Sequence, residues 1–181
     1  MKKIEDLTPD LVTKKHLYDH KAELEIGEWK KHFDFNYVNT IIAMALNHCI
    51  KKHELTVNGY LITKDNLYLI VKTHEKSIHA AIEKLEIHIT FLLKINPQQL
   101  KMNKYEMAFV VDDEDVFYAV RGSLFKINPL NNNYLTALLT GEKVTLPYFN
   151  PELESLKSML KNHTFCSVID YSGAVGPVQF L

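Results

Sequence analysis

Two apolar runs joined by four polar residues are the most constraining feature of this sequence. The runs extend from Leu55 to Ile62 and from Leu67 to Val71, and Thr63-Lys64-Asp65-Asn66 lies between them. Short apolar segments on either side of a polar, turn-forming link are typical of a β-hairpin. We therefore predict a hairpin near the centre of the fold, with its second strand ending near Thr73.

Amphipathic helices are predicted on both sides of this hairpin. From Val38 to Ile50 the apolar residues recur at spacings of three and one, which places them on one face of a helix ending near His53. The same period returns from Ile78 to Leu93, and Asn96-Pro97 ends this helix because the residue before proline avoids helical geometry. Upstream, the alternation of Ala22-Glu23-Leu24-Glu25-Ile26 predicts a further strand.

A strand and a helix are predicted after the second amphipathic helix. Met107 to Val111 is a short apolar strand, and Asp112-Asp113-Glu114-Asp115 then begins a helix that carries apolar residues from Val116 to Ile127 and ends at Asn128-Pro129. Carboxylates are stabilised at a helix start by its free N–H groups and dipole. The four acids also allow a Mg²⁺ site, but the helix start explains them without an ion.

The order of these elements predicts an α+β fold. Strand, helix, strand, strand, helix, strand and helix match the βαββαβ order of a ferredoxin-like sandwich, in which helices cover one face of an antiparallel sheet. We expect a single domain with a core at about 20–130 and a C-terminal helical extension at about 131–181. Within the extension, Asn150-Pro151-Glu152 begins a helix.

Composition places the chain among ordinary globular proteins. The sequence of 181 residues is 46% hydrophobic and 24% charged. It contains no apolar run of the roughly 18 residues that a membrane span needs, and its N-terminus lacks the apolar core of a signal peptide. We therefore expect a cytoplasmic protein with no membrane partner. Cys49 and Cys166 stand in apolar surroundings, which favours two reduced, buried thiols.

Charge argues against sequence-specific reading of a DNA groove. The chain has 21 basic and 22 acidic residues, so it offers no global attraction to nucleic acid. Arg121 is the only arginine, and arginine supplies most bidentate contacts to bases.

Residue chemistry alone identifies no enzyme. His16 and His20 are four residues apart and would share one helix face, but no third metal ligand is suggested nearby. We found no Gly-rich phosphate loop and no pairing of a nucleophile with a His and a carboxylate.

Three segments resemble a family of DNA-cleaving enzymes. The hairpin Gly59-Tyr60-Leu61-Ile62-Thr63-Lys64-Asp65-Asn66-Leu67-Tyr68-Leu69-Ile70-Val71 resembles the Tyr-Val-Ile-Met-Pro-Asn-His-x-His-Leu-Leu-Val run of REP-associated tyrosine transposases, which are single-tyrosine HUH transposases. Residues 111–130 are similar to that family's acid-rich start and closing Tyr-Ile-x-x-Asn-Pro-Val. Residues 165–173 are similar to its Trp-Ser-Ser-Tyr-x-x-Tyr-x-Gly. The resemblance covers most of the chain and implies the same ferredoxin-like fold.

The resemblance also implies that catalysis is lost. In such enzymes the two histidines of the hairpin bind a divalent metal, and a helix tyrosine attacks the scissile phosphate. The histidine positions are Asn66 and Tyr68 here, the tyrosine position is Leu124, and Asn128 matches a polar position of the family. Neither an amide nor a neutral phenol replaces a pair of imidazoles as metal ligands. We expect no catalytic residues and no family metal site.

Two functions follow from this comparison. The first is a catalytically inactive transposase-like domain that binds single-stranded or hairpin DNA, through a cleft containing Tyr60, Lys64, Tyr68 and Lys72. The second is a protein-interaction or dimerisation module with no nucleic-acid role, which docks a protein partner or a second copy. Its docking surface would be a sheet edge or the helix face from Ile78 to Leu93.

Overall fold

The computed structural model describes residues 16–95 and 122–180. In these ranges the chain is α+β, with an open antiparallel sheet. The strands are β1 (Tyr18–Ile26), β2 (Leu55–Ile62), β3 (Asn66–Thr73) and β4 (Phe125–Pro129). The helices are a 3-10 turn (Glu28–His32), α1 (Phe35–Lys51), α2 (Ile78–Ile95), α3 (Asn133–Leu139), α4 (Pro151–Lys161) and α5 (Val168–Tyr171).

The predicted hairpin is confirmed and occupies one side of the sheet. The strand order is β2-β3-β1-β4, with antiparallel pairing throughout. The first strand begins at Tyr18, four residues before the predicted start, because the residues from Tyr18 to Glu25 pair with β3 from Thr73 to Asn66. β1 is therefore central, and β4 pairs with its C-terminal half.

The main core lies between the sheet and the two long helices. Alternate strand residues such as Ala22, Leu24, Leu67 and Leu69 face α1 and α2 and are almost completely buried. The predicted apolar faces of both helices supply the other side of this core, so the helix periods read from the sequence are confirmed. Both thiols are free and buried, as predicted.

The opposite face of the sheet is partly covered by the C-terminal helices. Leu61 and Ile70 of the hairpin form a second apolar cluster with Leu135, Leu139 and Leu160. Tyr68 of β3 is partly buried against the same cluster. The polar residues of β1 and β4 on this face stay partly or fully exposed.

The segment after α4 runs along the outer edge of β2. The N–H of Ile62 donates to the carbonyl of Phe165, and the N–H of Ser167 donates to the carbonyl of Tyr60, both at 2.9 Å. Leu61 and Cys166 form an antiparallel bridge between these bonds. The edge of β2 is therefore occupied from Tyr60 to Ile62, and docking of a partner on a sheet edge stays a prediction for the remaining edge residues.

The predicted helix through Ile127 is wrong over its last residues. Phe125 to Pro129 forms β4, and Phe125 pairs with Ile26 of β1. The apolar spacing of Leu124 and Ile127 fits a helix, but the alternation of Phe125 and Ile127 fits a strand equally well. Pairing with β1 decides between the two, and Pro129 is tolerated because β4 is an edge strand of the described sheet.

Several predictions lie outside the described residues. These are the strand at 107–111, the acidic run at 112–115, the helix at 116–121, and the N-terminal helix start at 8–10. Within the part of the chain that the structure describes, no helix has both the length and the apolar character that a membrane crossing requires.

Candidate functional site

Two of the positions that the motif resemblance matches to metal-binding histidines meet on the partly exposed face of the sheet. Asn66 and Tyr68 lie two residues apart on β3 and therefore share a face. The Nδ2 of Asn66 donates to the Oη of Tyr68 at 3.3 Å. Tyr68 is opposite Glu23 of β1, which is in turn opposite Asn128 of β4. A row of polar side chains thus crosses three strands.

The environment of Tyr68 keeps its hydroxyl protonated. Burial raises the pKa of Tyr68 above its ordinary value, and the negative charge of Glu23 raises it further, against the opposing effect of the hydrogen bond from Asn66. A phenol with a raised pKa is a poor nucleophile and a poor anionic metal ligand at neutral pH. The row of Asn66, Tyr68, Glu23 and Asn128 is therefore suited to hydrogen bonding.

Leu124 lies apart from this row. It is buried in the core between the sheet and the helices, and its carbonyl accepts hydrogen bonds from the Nε1 of Trp29 and the N–H of Gly27, both at 2.9 Å. The predicted helical turn between Leu124 and Asn128 is replaced by extended chain, in which four residues span about 13 Å. The prediction that Leu124 lies on a helix face is wrong.

The four residues predicted to form a DNA-binding cleft are not brought together. Tyr60 is opposite Leu69 and points into the main core, where it is fully buried, whereas Tyr68 is on the other face of the sheet. Lys72 shares a face with Tyr68 but lies at the far end of β3, where it pairs with Asp19 at 3.6 Å. Lys64 is exposed in the hairpin turn. The alternation of a strand explains the separation of the two tyrosines.

Tyr60 has a structural role in the core. Its Oη approaches the Oδ2 of Asp170 at 3.4 Å, and its ring packs against that of Phe180. Burial and the charge of Asp170 both raise the pKa of Tyr60. Its side chain joins β2 to the C-terminal segment and is not available for stacking on a base in this conformation.

Lys64 instead borders a basic pocket at the hairpin turn. The pocket has a volume of about 340 Å³. It is formed where the 3-10 turn and the start of α1 meet this turn, and it is lined by Lys30, Lys31, Phe33, Phe35, Val38, Lys64 and Asp65. We refer to these residues as the basic pocket.

The geometry of the basic pocket is set by local interactions. Asp34 caps α1 by accepting the N–H of Asn36 at 2.9 Å, and this places Phe35 at the first helical position with 41% of its surface exposed. The Nζ of Lys30 contacts the Oδ1 of Asp65 at 2.6 Å, and this contact lowers the pKa of Asp65. Among the described residues, Lys64 makes no ion pair.

The basic pocket has a local signal in the sequence. Lys30-Lys31 stands within five residues of Phe33 and Phe35, and such basic and aromatic neighbours are typical of nucleic-acid contacts. The fold is needed to bring them to Lys64, about thirty residues away.

Metal-ligating side chains gather elsewhere. Among residues 16–95 and 122–180, the one group of three that could hold a metal ion is Cys49, Glu54 and His88. It lies near the start of β2, at the opposite end of the hairpin from the basic pocket. The Nε2 of His20 instead lies 2.9 Å from the carbonyl oxygen of Glu75, and His20 is on a strand, so the helical spacing considered for His16 and His20 does not apply.

The chain was compared with protein-family models, curated proteins and solved structures. None of these comparisons finds a match.

Proposed function

We propose that this protein is a catalytically inactive transposase-like domain that binds single-stranded or hairpin DNA at the basic pocket. The observation that carries the proposal is that Lys30, Lys31 and Lys64 line one pocket together with the exposed Phe35. Lysines neutralise phosphates, and an exposed aromatic ring offers a stacking surface to an unpaired base. The contact is local, which suits a chain whose net charge is −1.

The topology of the sheet supports a ferredoxin-like fold as part of this proposal. The order β2-β3-β1-β4 is compatible with two interleaved β-α-β units, with α1 and α2 packed together on one face. In this assignment the fourth strand is Phe125–Pro129, in place of the strand expected at 107–111. The cytoplasmic location stays a prediction.

The absence of catalysis is also part of the proposal. Asn66 and Tyr68 stand where the resemblance puts metal-binding histidines, and a protonated phenol beside an amide is a poor ligand set. Leu124 has no nucleophilic atom. We therefore propose that DNA is bound and not cut.

The first test is fluorescence anisotropy of a labelled DNA hairpin with a single-stranded flank. We expect saturable binding that weakens as salt rises, because phosphate contacts release counterions. Phe35→Ala should weaken binding by roughly 1–3 kcal/mol if one base stacks on the ring. Phe149→Ala removes another exposed phenylalanine and is the matched control.

Two results would contradict DNA binding at the basic pocket. One is no binding at low salt by the folded protein. The other is binding that Phe35→Ala and the Phe149→Ala control reduce equally. Release of cleaved DNA in the presence of Mg²⁺ or Mn²⁺ would contradict the claim that catalysis is lost.

A second candidate function is dimerisation through α2. The residues of α2 predicted to dock a partner, such as Ile82, Leu85 and Ile89, are buried in the core, so that prediction is wrong for this face. Another face of the helix exposes Ile87, Phe91 and Ile95, each by more than half. These residues are four apart and form one stripe.

The charges beside the stripe favour a second copy of the chain as its partner. Glu83 precedes the stripe and Lys94 lies near its end, so two antiparallel copies of α2 would place each glutamate near the other copy's lysine. Sedimentation velocity tests this candidate. We expect a dimer that Phe91→Lys dissociates, and a wild-type monomer at all concentrations would refute it.

A further inference from the structure

Three potential metal ligands from separate parts of the chain converge beside the start of β2. Cys49 is in the last turn of α1, Glu54 follows that helix, and His88 is in the middle of α2. Their ligand atoms all lie within 4.8 Å of one another. The Nε2 of His88 is 2.9 Å from the Oε2 of Glu54. Helix packing and a local turn therefore bring a thiol, a carboxylate and an imidazole together.

The turn that ends α1 returns Glu54 to the side of Cys49. The N–H of Glu54 donates to the carbonyl of Cys49 at 3.0 Å, and the N–H of His53 donates to that of Ile50 at 2.9 Å. This pair of bonds is the Schellman motif, in which one residue takes a left-handed conformation. That residue is His53, with a φ of 56°. Glycine is the usual residue at this position because it has no Cβ, so His53 holds a strained backbone conformation.

The three side chains differ in how far they are buried. Cys49 is fully buried, the side chain of His88 is 10% exposed, and that of Glu54 is 24% exposed. An ion would therefore reach the group from the Glu54 side.

Charged and aromatic neighbours complete the surroundings. The ring of His48 stacks on that of His88, with centroids 5.8 Å apart. Lys84 is one turn before His88 on α2, and its Nζ contacts the Oε1 of Glu75 at 2.6 Å. Burial and the charge of Glu54 raise the pKa of Cys49 to about 12, so the thiol is protonated when no ion is bound.

We propose that Cys49, Glu54 and His88 form a binding site for a divalent transition-metal ion, with Zn²⁺ as the preferred ion. Sulfur, nitrogen and oxygen ligands in one site suit zinc, which accepts three protein ligands and a water in tetrahedral geometry. Tetrahedral zinc with bonds of about 2.0–2.3 Å holds its ligand atoms roughly 3.3–3.8 Å apart, so the widest separation in this group, at most 4.8 Å, has to shorten by about 1 Å when the ion binds.

The charges and protons of this binding step balance. The Cys49 thiol loses its proton to solvent and binds as a thiolate, Glu54 binds as a carboxylate, and His88 binds as a neutral imidazole. Two negative charges then offset the charge of the ion. The ion replaces the hydrogen bond between Glu54 and His88. This site does not depend on the DNA-binding proposal, because the basic pocket is at the other end of the hairpin.

Titration of the metal-free protein with Co²⁺ tests the site directly. Cobalt replaces zinc in such sites, and a thiolate ligand gives it a charge-transfer absorption in the near ultraviolet. We expect one equivalent of Co²⁺ to produce this absorption and one equivalent of Zn²⁺ to remove it. Cys49→Ala should abolish it, and Cys166→Ala, which removes the other buried thiol, should leave it unchanged.

Two further variants test the remaining ligands. Mutation of a residue that only hydrogen-bonds to a metal ligand lowers metal affinity by about 10- to 100-fold. Loss of a direct ligand in Glu54→Gln or His88→Gln should therefore weaken Co²⁺ binding by at least roughly tenfold. The side chain of Glu54 is partly exposed, so Glu54→Gln tests the site even if a substitution in the core prevents folding. His79→Gln, on the exposed face of α2, is the matched control. Absent thiolate absorption in the folded wild type would overturn the proposal, as would absorption that persists in Cys49→Ala.

Discussion

The carboxylate of Glu86 on α2 accepts the backbone N–H of Leu124 at 2.9 Å. The same oxygen, Oε1, accepts the N–H of Phe125 at 3.1 Å and lies 3.2 Å from the hydroxyl of Ser123. A single side chain thus satisfies the backbone donors at the start of β4. This contact connects the second helix to the edge strand and fixes where that strand begins to pair with β1.

Removal of this carboxylate should destabilise the fold. We expect Glu86→Ala to lower the free energy of unfolding by about 2–3 kcal/mol, since hydrogen bonds to charged acceptors are strong and two backbone donors lose their partner. Urea unfolding measures the change. Glu83→Ala, an exposed position on the same helix, should stay within about 0.5 kcal/mol of the wild type. Equal effects of the two variants would contradict this role of Glu86.

A buried hydroxyl joins β2 to the C-terminal segment. Ser167 is fully buried, and its Oγ accepts the N–H of Tyr60 at 3.1 Å and donates to the carbonyl of Leu139 at 2.7 Å. Ser167→Ala should cost about 1–3 kcal/mol of unfolding free energy, because buried backbone groups are left without partners. The exposed Ser158→Ala is the control for thermal unfolding. A Ser167→Ala protein as stable as the control would refute this prediction.

Acid should weaken the fold through His163. Burial lowers the pKa of His163 below its ordinary value, and the N–H of Phe165 lies 3.3 Å from its Nδ1, an arrangement that needs a neutral ring. The unfolded chain therefore binds a proton at higher pH than the folded chain does. The free energy of unfolding should fall as the pH drops below about 6.5 and level off below the folded pKa.

Urea unfolding over a range of pH measures this effect. His163→Gln should show a smaller loss of stability between neutral and mildly acidic pH than the wild type shows. The exposed His79→Gln should lose as much as the wild type. If His163→Gln follows the same pH profile as the wild type, His163 is not responsible for the acid sensitivity.

DNA binding at the basic pocket should depend on salt concentration by a predictable amount. Lys64→Ala should reduce the slope of log affinity for hairpin DNA against log salt by about one, because one phosphate contact is lost. Anisotropy titrations at several salt concentrations measure the slope. Lys76→Ala, at the opposite end of β3, should leave it unchanged. An unchanged slope in Lys64→Ala would remove this lysine from the interface.

Local periodicity predicted much of the fold, and its failures have physical causes. The hairpin and both long helices follow from patterns within 8 to 18 residues. The assignment around Leu124 failed because a few apolar residues there fit two periods, and pairing with a distant strand decided between them. Tyr60 faces the core because a register shift between Val57 and Gly59 reverses the alternation of β2, and no local sequence pattern predicts that shift.

The candidate sites were harder to predict because they depend on long-range contacts. His88 is 34 residues from Glu54 and meets it only when α2 packs beside α1. The basic pocket likewise needs Lys30 to meet Asp65, 35 residues later. The nearness of Cys49 and Glu54 was the one local signal, since a helix end between them predicts that they are neighbours.

The pairing of residues 165–167 with the edge of β2 has a consequence for synthesis on the ribosome. Ser167 follows its partner Tyr60 by 107 residues, so β2 is made long before its outer neighbour. At roughly 5–20 residues per second, the open strand edge waits for at least several seconds. An unpaired edge is a template for association with other chains. The nascent protein is thus most exposed to aggregation in this interval, which ends when residues 165–167 leave the exit tunnel and pair with β2.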